Sequence, residues 1–318
     1  MNKIHVLPRM AVAALLASAV ALAGCSQSGS SSGEQAKQPA QPAASSTAGM
    51  AMKSGAPAVG KKTIKLAYVE WSSCVAATNV ARAALEQKGY DVKNVSVSAA
   101  AMYAAVADGD ADATVCAWLP STQANYYAKT KDKLDNLGPN LVGTQLGLVV
   151  PDYVTIDSIP QLADHAKKFQ DRIVGIDPGA GEMGLTQKVI KQYKLPLKLI
   201  DGSGATMTAA LKSAIDNHQW IVVTGWTPHW MWARWKLKYL KDPKGIYGNA
   251  ENIDTLVRKG LKNDSPAAYA LLDGFHWTPA QMQQVMAKDR EPDTQPYDVA
   301  QKWVKANATT VDGWSASK

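Results

Sequence analysis

The sequence contains little phenylalanine, cysteine or histidine and much tryptophan. It has 2 Phe, 3 Cys and 5 His among 318 residues, against 10 Trp. The zinc-protease pattern HExxH and the phosphate-binding P-loop pattern are both missing, and the histidines form no cluster with acidic residues. These absences favour a binding protein over an enzyme. We predict no catalytic residues, no metal site and no cofactor.

Basic residues outnumber acidic residues only moderately. The chain has 34 Lys and Arg against 27 Asp and Glu, a formal net charge of +7. The charges are spread along the sequence, without the basic run that marks a nucleic-acid groove, so no nucleic-acid partner is expected. With 46% hydrophobic and 19% charged residues, the composition is that of a globular protein long enough for two domains.

The N-terminal residues have the pattern of an export signal. Two basic residues precede the apolar stretch Met10–Ala23, which is too short to span a bilayer and is followed by Gly and Cys25. This ending resembles a bacterial lipoprotein signal, in which residues 1–24 would be removed and Cys25 lipidated. The alternative is a secretory peptide with a chance cysteine. Residues 25–61 predict a flexible tether. We expect an exported protein that contacts the membrane only through its lipid, on the periplasmic or outer face.

The rest of the chain contains one α/β unit twice. KLAYVEW, SAAAMYAAVADGD and ATVCAWLP correspond to RIVGIDPGAG, SGATMTAALKSAID and WIVVTGWTP, at an offset of roughly 105 to 108 residues. Apolar runs of strand length alternate with helix-length stretches, as in parallel sheets covered by helices. This pattern predicts two similar lobes with a ligand between them. The equivalent pairs are Thr78 and Thr186, Met102 and Met207, Trp118 and Trp226, and Pro120 and Pro228.

Three tryptophans occupy matched places in these units. Trp71, Trp118 and Trp226 each lie at the end of an apolar run that predicts a buried strand. Strand ends are where α/β folds bind ligands, and a ring of indole faces attracts a methylated ammonium. We interpret the three residues as a cage for a quaternary amine. The alternative is that they are core aromatics, since most tryptophans are largely buried.

A glycine-rich segment, residues 177–184, lies where the first strand of the second unit should lead into a helix. Backbone N–H groups at the start of a helix suit a carboxylate or phosphate, although a tight turn uses the same residues. We therefore predict that this segment, opposite the indole cage, binds the negatively charged end of a zwitterionic ligand.

Cys74 and Cys116 are candidates for a disulfide because export brings the chain into an oxidising compartment. Cys74 follows Trp71 by three residues and Cys116 precedes Trp118 by two, so both should lie near the carboxyl ends of neighbouring strands. Two reduced, buried thiols are the alternative, because the sequence does not give the Cα separation. Without a CxxC pattern, a zinc or redox role is not expected.

Several long segments resemble one family. IDPGAGEMGLTQ, SGATMTAALKSAI, VVTGWTPHWMWARWKLKYLKDPK and YVEWSSCVAATNVARAALEQKGY are similar to the OpuAC-type glycine-betaine-binding proteins of osmoprotectant ABC importers. The similarity covers residues 62 to about 290. It implies that the three tryptophans surround a trimethylammonium group and that the backbone N–H groups of Gly181 and Glu182 bind a carboxylate. It also implies an ABC permease and ATPase as partners of a monomeric protein.

Two residues depart from the family pattern. In the family motif WLPxTH the histidine helps to bind the carboxylate, and here that residue is Gln123, which can donate a hydrogen bond but carries no charge. We therefore expect nearly constant betaine affinity between about pH 5.5 and 8. Glu182 stands where the family often has an apolar residue. Its carboxylate must point away from an anionic ligand or receive a hydroxyl or cationic group.

The predicted fold is the two-lobed periplasmic-binding-protein fold of type II, an α/β fold with two hinge crossings. Lobe 1 would comprise residues 62–147 and 255–318, lobe 2 residues 153–245, and the hinge crossings residues 147–153 and 246–254. The predicted function is capture of glycine betaine or a related quaternary amine for ABC-type uptake in osmoprotection. The alternatives are choline or carnitine binding for catabolic uptake, an amine-sensing lipoprotein, and an enzyme acting on choline or its esters.

Overall fold

The computed structural model describes residues 62–316. The predicted signal peptide, the whole of the predicted tether and the predicted lipidation site Cys25 lie outside the described residues. Within residues 62–316 the protein is a mixed α/β structure, as predicted, and no helix there is long and apolar enough to cross a membrane.

The described part of the chain contains nine strands, eleven α-helices and three short 3₁₀ helices. The strands are β1 (Thr63–Tyr68), β2 (Asp91–Ser96), β3 (Ala113–Leu119), β4 (Leu134–Pro151), β5 (Arg172–Val174), β6 (Lys198–Ile200), β7 (Val223–Thr227), β8 (Leu237–Tyr239) and β9 (Glu251–Arg258). The helices are α1 (Ser72–Gln87), α2 (Ala99–Asp108), α3 (Ala124–Thr130), α4 (Gly181–Tyr193), α5 (Gly204–Asp216), α6 (Met231–Arg234), α7 (Leu261–Asp264), α8 (Pro266–Gly274), α9 (Pro279–Lys288), α10 (Pro296–Ala306) and α11 (Ala308–Gly313).

The sheet order is β2-β1-β3-β9-β4-β7-β5-β6, and β8 pairs with β4. At one end β1 lies parallel to β2 and β3, and at the other end β5 lies parallel to β6 and β7. Each end is a β-α-β-α-β unit with its first strand in the middle, which confirms the predicted repeat. Equivalent residues take equivalent places, since Thr78 and Thr186 are buried in α1 and α4, and Met102 and Met207 in α2 and α5.

Local sequence explains how these units position the strand ends. All seven residues of β3 are buried, as expected for a strand inside a sheet with both faces covered. Helix α2 begins after Ser98, whose hydroxyl accepts a hydrogen bond from the N–H of Ala101, and it ends at Gly109 in the left-handed region, with φ of 81°. The short turn that follows returns the chain to β3, whose carboxyl end carries Trp118.

The long strand β4 connects the two ends of the sheet. Its residues 134–144 pair antiparallel with β9, and its residues 145–149 pair antiparallel with β7. The change of partner between Thr144 and Gln145 falls shortly before the first predicted hinge crossing at residues 147–153. The bounds of the two lobes stay a prediction.

The C-terminal helices pack back onto the first unit. Helices α9 and α10 pack against α1, and α8 packs against α1 and β4. Aromatic rings of Phe275, Trp277, Trp303 and Trp314 contact one another there, and the indole N–H of Trp314 donates to the carbonyl of His276 over 3.0 Å. The chain after β9 thus completes the core of the first unit, which contains β1, β2 and β3.

Candidate functional site

A cavity that is partly open to solvent lies where the carboxyl ends of the two units meet, and its free space, open solvent included, is about 310 Å³. It contains all six residues that the sequence predicted as ligand contacts, together with five that it did not. The lining residues are Trp71, Ser73, Trp118, Thr122, Gln123, Leu146, Ile176, Ala180, Gly181, Glu182 and Trp226.

The three predicted cage tryptophans lie at or just beyond strand ends and are all buried. Trp118 and Trp226 are the penultimate residues of β3 and β7, and Trp71 lies three residues beyond the end of β1. The indole N–H of Trp71 donates to Oδ2 of Asp177 over 2.7 Å, which orients that ring. The indole nitrogen of Trp226 is buried without a hydrogen-bond partner. The cavity is therefore bordered by three large aromatic side chains.

His229 and the neighbouring tryptophans support the cage from behind. The ring of His229 contacts Trp226 edge-on with centroids 4.6 Å apart, and its Nδ1 accepts a hydrogen bond from the N–H of Met231 over 3.1 Å. Burial lowers the pKa of His229 to about 3, so this side chain is neutral over the range in which ligands would bind. Trp232 donates its indole N–H to the carbonyl of Trp226 over 2.8 Å. Neither residue lines the cavity.

The opposite wall is the start of helix α4. The helix begins at Gly181, after Ala180 in an extended conformation, so its first N–H groups have no acceptors within the helix. A Cβ at Gly181 would collide with the carbonyl oxygen of Thr122, so only glycine allows this close contact. Gly179, Gly181 and Gly184 have the spacing of a dinucleotide-binding loop. In such a loop the second glycine lets a pyrophosphate approach the backbone. Here Thr122 fills the space beside Gly181 through which a pyrophosphate would approach. The N-terminus of α4 is therefore left to bind a small anion.

Gln123 is held in one orientation by two protein donors. Its Oε1 accepts hydrogen bonds from the N–H of Trp118 over 2.9 Å and from the hydroxyl of Tyr103 over 3.0 Å. Because a backbone N–H can only donate, the oxygen of the amide is assigned and its NH₂ group is available to the cavity. Gln123 thus presents a neutral donor at the place of the family's histidine.

Glu182 lies in the cavity wall with its carboxyl group buried. The residue is 3% exposed, and neither side-chain oxygen has a hydrogen-bond partner. Burial raises the pKa of this carboxyl to about 8, and the N–H groups of Gly225 and Gly147, which face it, act in the opposite direction. The sequence identified Glu182 as unusual but did not determine the direction in which its side chain points. The pKa of Glu182 thus lies at the upper end of the pH range in which the sequence predicted constant betaine affinity.

The sequence did not reveal several contacts between distant segments around the cavity. The hydroxyl of Tyr126 donates to the carbonyl of Gly179 over 2.8 Å, and the N–H of Thr122 donates to both carboxylate oxygens of Glu251 over 3.0 and 3.2 Å. Ser73 and Thr122 also carry buried hydroxyls without partners in the cavity wall. Three of the five unpredicted lining residues lie beside predicted features in the sequence: Ser73 two residues after Trp71, Thr122 directly before Gln123, and Ala180 within the glycine-rich segment.

A disulfide lies behind the cage. Cys74 and Cys116 are bonded, with Cα atoms 5.3 Å apart, and they connect the start of α1 to strand β3. The hydroxyl of Thr78 lies 3.6 Å from the sulfur of Cys116. The bond ties together the two segments that carry Trp71 and Trp118.

Two similar α/β units that close over an aromatic cavity with a helix N-terminus in its wall define a two-lobed substrate-binding protein. Residues 62–306 match the family described as the substrate binding domain of ABC-type glycine betaine transport systems. The chain belongs to this family. It is a transport substrate-binding protein and not an enzyme, as predicted.

Solved structures confirm the predicted type II fold. Lactococcal OpuAC, in its closed conformation with glycine betaine, is 43% identical with a TM-score of 0.76, and the match covers 80% of this chain and 99% of that one. The glycine betaine/L-proline-binding protein ProX from Borrelia burgdorferi is 38% identical with a TM-score of 0.77, over 80% of this chain and 97% of that one.

A relative known by sequence matches over a shorter length. The glycine betaine/carnitine transport binding protein GbuC of Listeria monocytogenes is 47% identical over 155 residues. This match covers 48% of the present chain and 51% of GbuC, so it spans about half the length of that relative.

Proposed function

We propose that this protein captures glycine betaine, or a closely related quaternary amine with a carboxylate, and delivers it to an ABC permease and its ATPase. The observation that supports this most is the meeting of Trp71, Trp118 and Trp226 with the N-terminus of α4 in one cavity. Three indole faces suit a trimethylammonium group, which cannot donate hydrogen bonds but is attracted to a π-system. The helix N-terminus suits a carboxylate.

The mechanism is capture by closure. Trp71 and Trp118 come from the first unit, while Trp226, Gly181 and Glu182 come from the second. When the units separate, the cage and the anion site come apart, so the ligand favours the closed form in which both of its ends are bound. Closure also removes the cation from water, which strengthens its attraction to the indoles.

Export and lipid anchoring complete the proposal. Cys25 would carry the lipid, residues 25–61 would form the tether, and uptake would serve osmoprotection. Labelling with a radioactive fatty acid should mark the natural chain, and Cys25→Ala should abolish the label and release the protein from the membrane. A labelled Cys25→Ala variant would contradict the anchor.

Binding calorimetry tests which ligand the protein binds. We expect glycine betaine to bind with higher affinity than choline at pH 7, with proline betaine and carnitine as further candidates. Glycine is the matched control, because it has the same carboxylate without the methyl groups and should not bind. If none of the quaternary amines binds, the proposal is wrong.

A second candidate function is uptake of carnitine or choline for catabolism. The name of the Listeria relative includes carnitine, and Gln123 is a departure at the carboxylate end that affects ligand choice. Carnitine bound more tightly than glycine betaine would favour this candidate. A third candidate, amine sensing, predicts that deletion of the gene leaves betaine uptake intact.

A further inference from the structure

Glu182 is the one acidic side chain among the residues that line the cavity. It occupies the second position of α4, next to Gly181 at the helix N-terminus in the cavity wall. Both carboxyl oxygens are buried without a close hydrogen bond, and the N–H groups of Gly147 and Gly225 that face the carboxyl only partly offset the cost of burying its charge. A buried carboxyl without partners is costly unless it is neutral or receives a ligand, so its presence in a binding cavity calls for a role.

The elements packed against this carboxyl supply no compensating charge. Strands β4 and β7 present Gly147 and Gly225, which have no side chains, and only their N–H groups face Glu182. The nearby hydroxyls of Tyr239 and Tyr247 are engaged with Thr227 and Thr186, each over 2.8 Å. Burial raises the pKa of both tyrosines well above the usual range, so both are neutral.

Other charged groups around the site are engaged elsewhere. Asp177 accepts the indole N–H of Trp71, Glu251 accepts the N–H of Thr122, and Asp242 accepts hydrogen bonds from the backbone N–H groups of Lys244 and Tyr247. Among the described residues, no lysine, arginine or histidine lines the cavity. An ionised Glu182 would therefore have no cation near it except the ligand's own.

We propose that neutral Glu182 donates its O–H to the carboxylate of the bound amine, and that its ionisation shifts the site's preference from carboxylate-bearing to hydroxyl-bearing quaternary amines. This inference rests on the proposed function. It makes Glu182 a side-chain donor for the ligand's carboxylate in addition to the NH₂ group of Gln123. No proton is transferred, because the proton stays on Glu182 and the ligand's carboxylate accepts the hydrogen bond.

The physical reason is charge repulsion in a dry site. Two carboxylates in one buried cavity repel strongly, so a betaine binds only when Glu182 carries its proton. The raised pKa of about 8 agrees with a neutral group at pH 7. Choline has a hydroxyl in place of the carboxylate, so ionised Glu182 can accept its hydrogen bond and does not repel it.

Calorimetry of the full-length protein with glycine betaine and with choline, from pH 6 to 9.5, tests this inference. For glycine betaine we expect level affinity up to about pH 8 and then a loss of about tenfold per pH unit, because only the protonated fraction binds. For choline we expect unchanged or increased affinity over the same range. A parallel loss for both ligands would overturn the inference, since it would indicate a general failure of closure.

Variants assign the effect to one residue. Glu182→Gln cannot ionise but can still donate, so its betaine affinity should stay level to pH 9.5. Asp289→Asn is the matched control, because burial also raises the pKa of Asp289, to about 7, while the residue lies at the end of α9 and does not line the cavity. This variant should keep the pH profile of the unmodified protein.

A further variant keeps the test decisive if Glu182→Gln does not fold. Glu182→Leu, which removes both the charge and the donor, should bind betaine more weakly at pH 7 but without the loss at high pH. A loss above pH 8 that persists in a folded Gln or Leu variant would refute the role of Glu182. Level betaine affinity in the unmodified protein would refute the inference alone, whereas failure of every quaternary amine to bind at pH 7 would refute the proposed function.

Discussion

Replacing Trp226 with alanine should weaken glycine betaine binding by roughly thirtyfold. The indole is 3% exposed and lines the cavity on one side, while His229 packs against its other side. A desolvated cation–π contact is worth about 2 kcal/mol. Since about 1.4 kcal/mol corresponds to tenfold in Kd, loss of this contact gives a factor of roughly thirty.

The structure separates the indole face from other contributions of this residue. The indole nitrogen of Trp226 has no hydrogen-bond partner, so alanine removes no hydrogen bond. The bond from Trp232 goes to the backbone carbonyl of Trp226, which alanine retains. Trp226→Phe keeps a smaller aromatic face and should lose less affinity than Trp226→Ala.

Calorimetry at pH 7 on variants with verified circular dichroism spectra gives the measurement. Trp220→Ala is the matched control, because Trp220 is half-buried against Phe169 in a separate core and has Lys168 over its ring at 4.3 Å. It should leave affinity unchanged. If Trp226→Ala lowers betaine affinity less than threefold, the cage assignment is wrong. It is also wrong if Trp220→Ala lowers affinity as much as Trp226→Ala does.

Three further predictions concern closure and stability. Cys74→Ser with Cys116→Ser should lower stability by about 4 kcal/mol in chemical denaturation, as expected for a sequence separation of 42; an unchanged midpoint would contradict this. Gly181→Ala should lower betaine affinity at least tenfold in calorimetry with little change in the ligand-free melting temperature, because its methyl group collides with Thr122 on closure. Burial raises the pKa of Glu182 from 4.5 to about 8, so stability should fall between these pH values by up to roughly 5 kcal/mol, and scanning calorimetry should find Glu182→Gln nearly level there.

Much of the fold could be predicted because the chain carries its pattern twice. The repeat located Trp118 and Trp226 at equivalent strand ends, and parallel strands of such units bring their carboxyl ends to one edge. The spacing of the cysteines from Trp71 and Trp118 then indicated neighbouring segments. These inferences needed only local pattern and general rules of α/β topology.

The rest of the site depends on contacts between distant segments. Glu251, on β9, binds the N–H of Thr122, 129 residues earlier, and nothing near either residue in sequence indicates that pairing. The same holds for Trp71 and Asp177, which are 106 residues apart. The direction of the Glu182 side chain was also undetermined, because it depends on the two glycines that leave space beside it.

The contacts between the units also govern how long a ligand stays. The Trp71 indole bonded to Asp177, the Tyr126 hydroxyl on Gly179 and the fit of Thr122 against Gly181 must all separate before a molecule in the cavity can leave. The dissociation rate therefore reports the opening rate of the protein, and contacts outside the cage contribute to residence time. A change at Tyr126 should shorten residence without touching the cage, while a change at Trp71 should affect both.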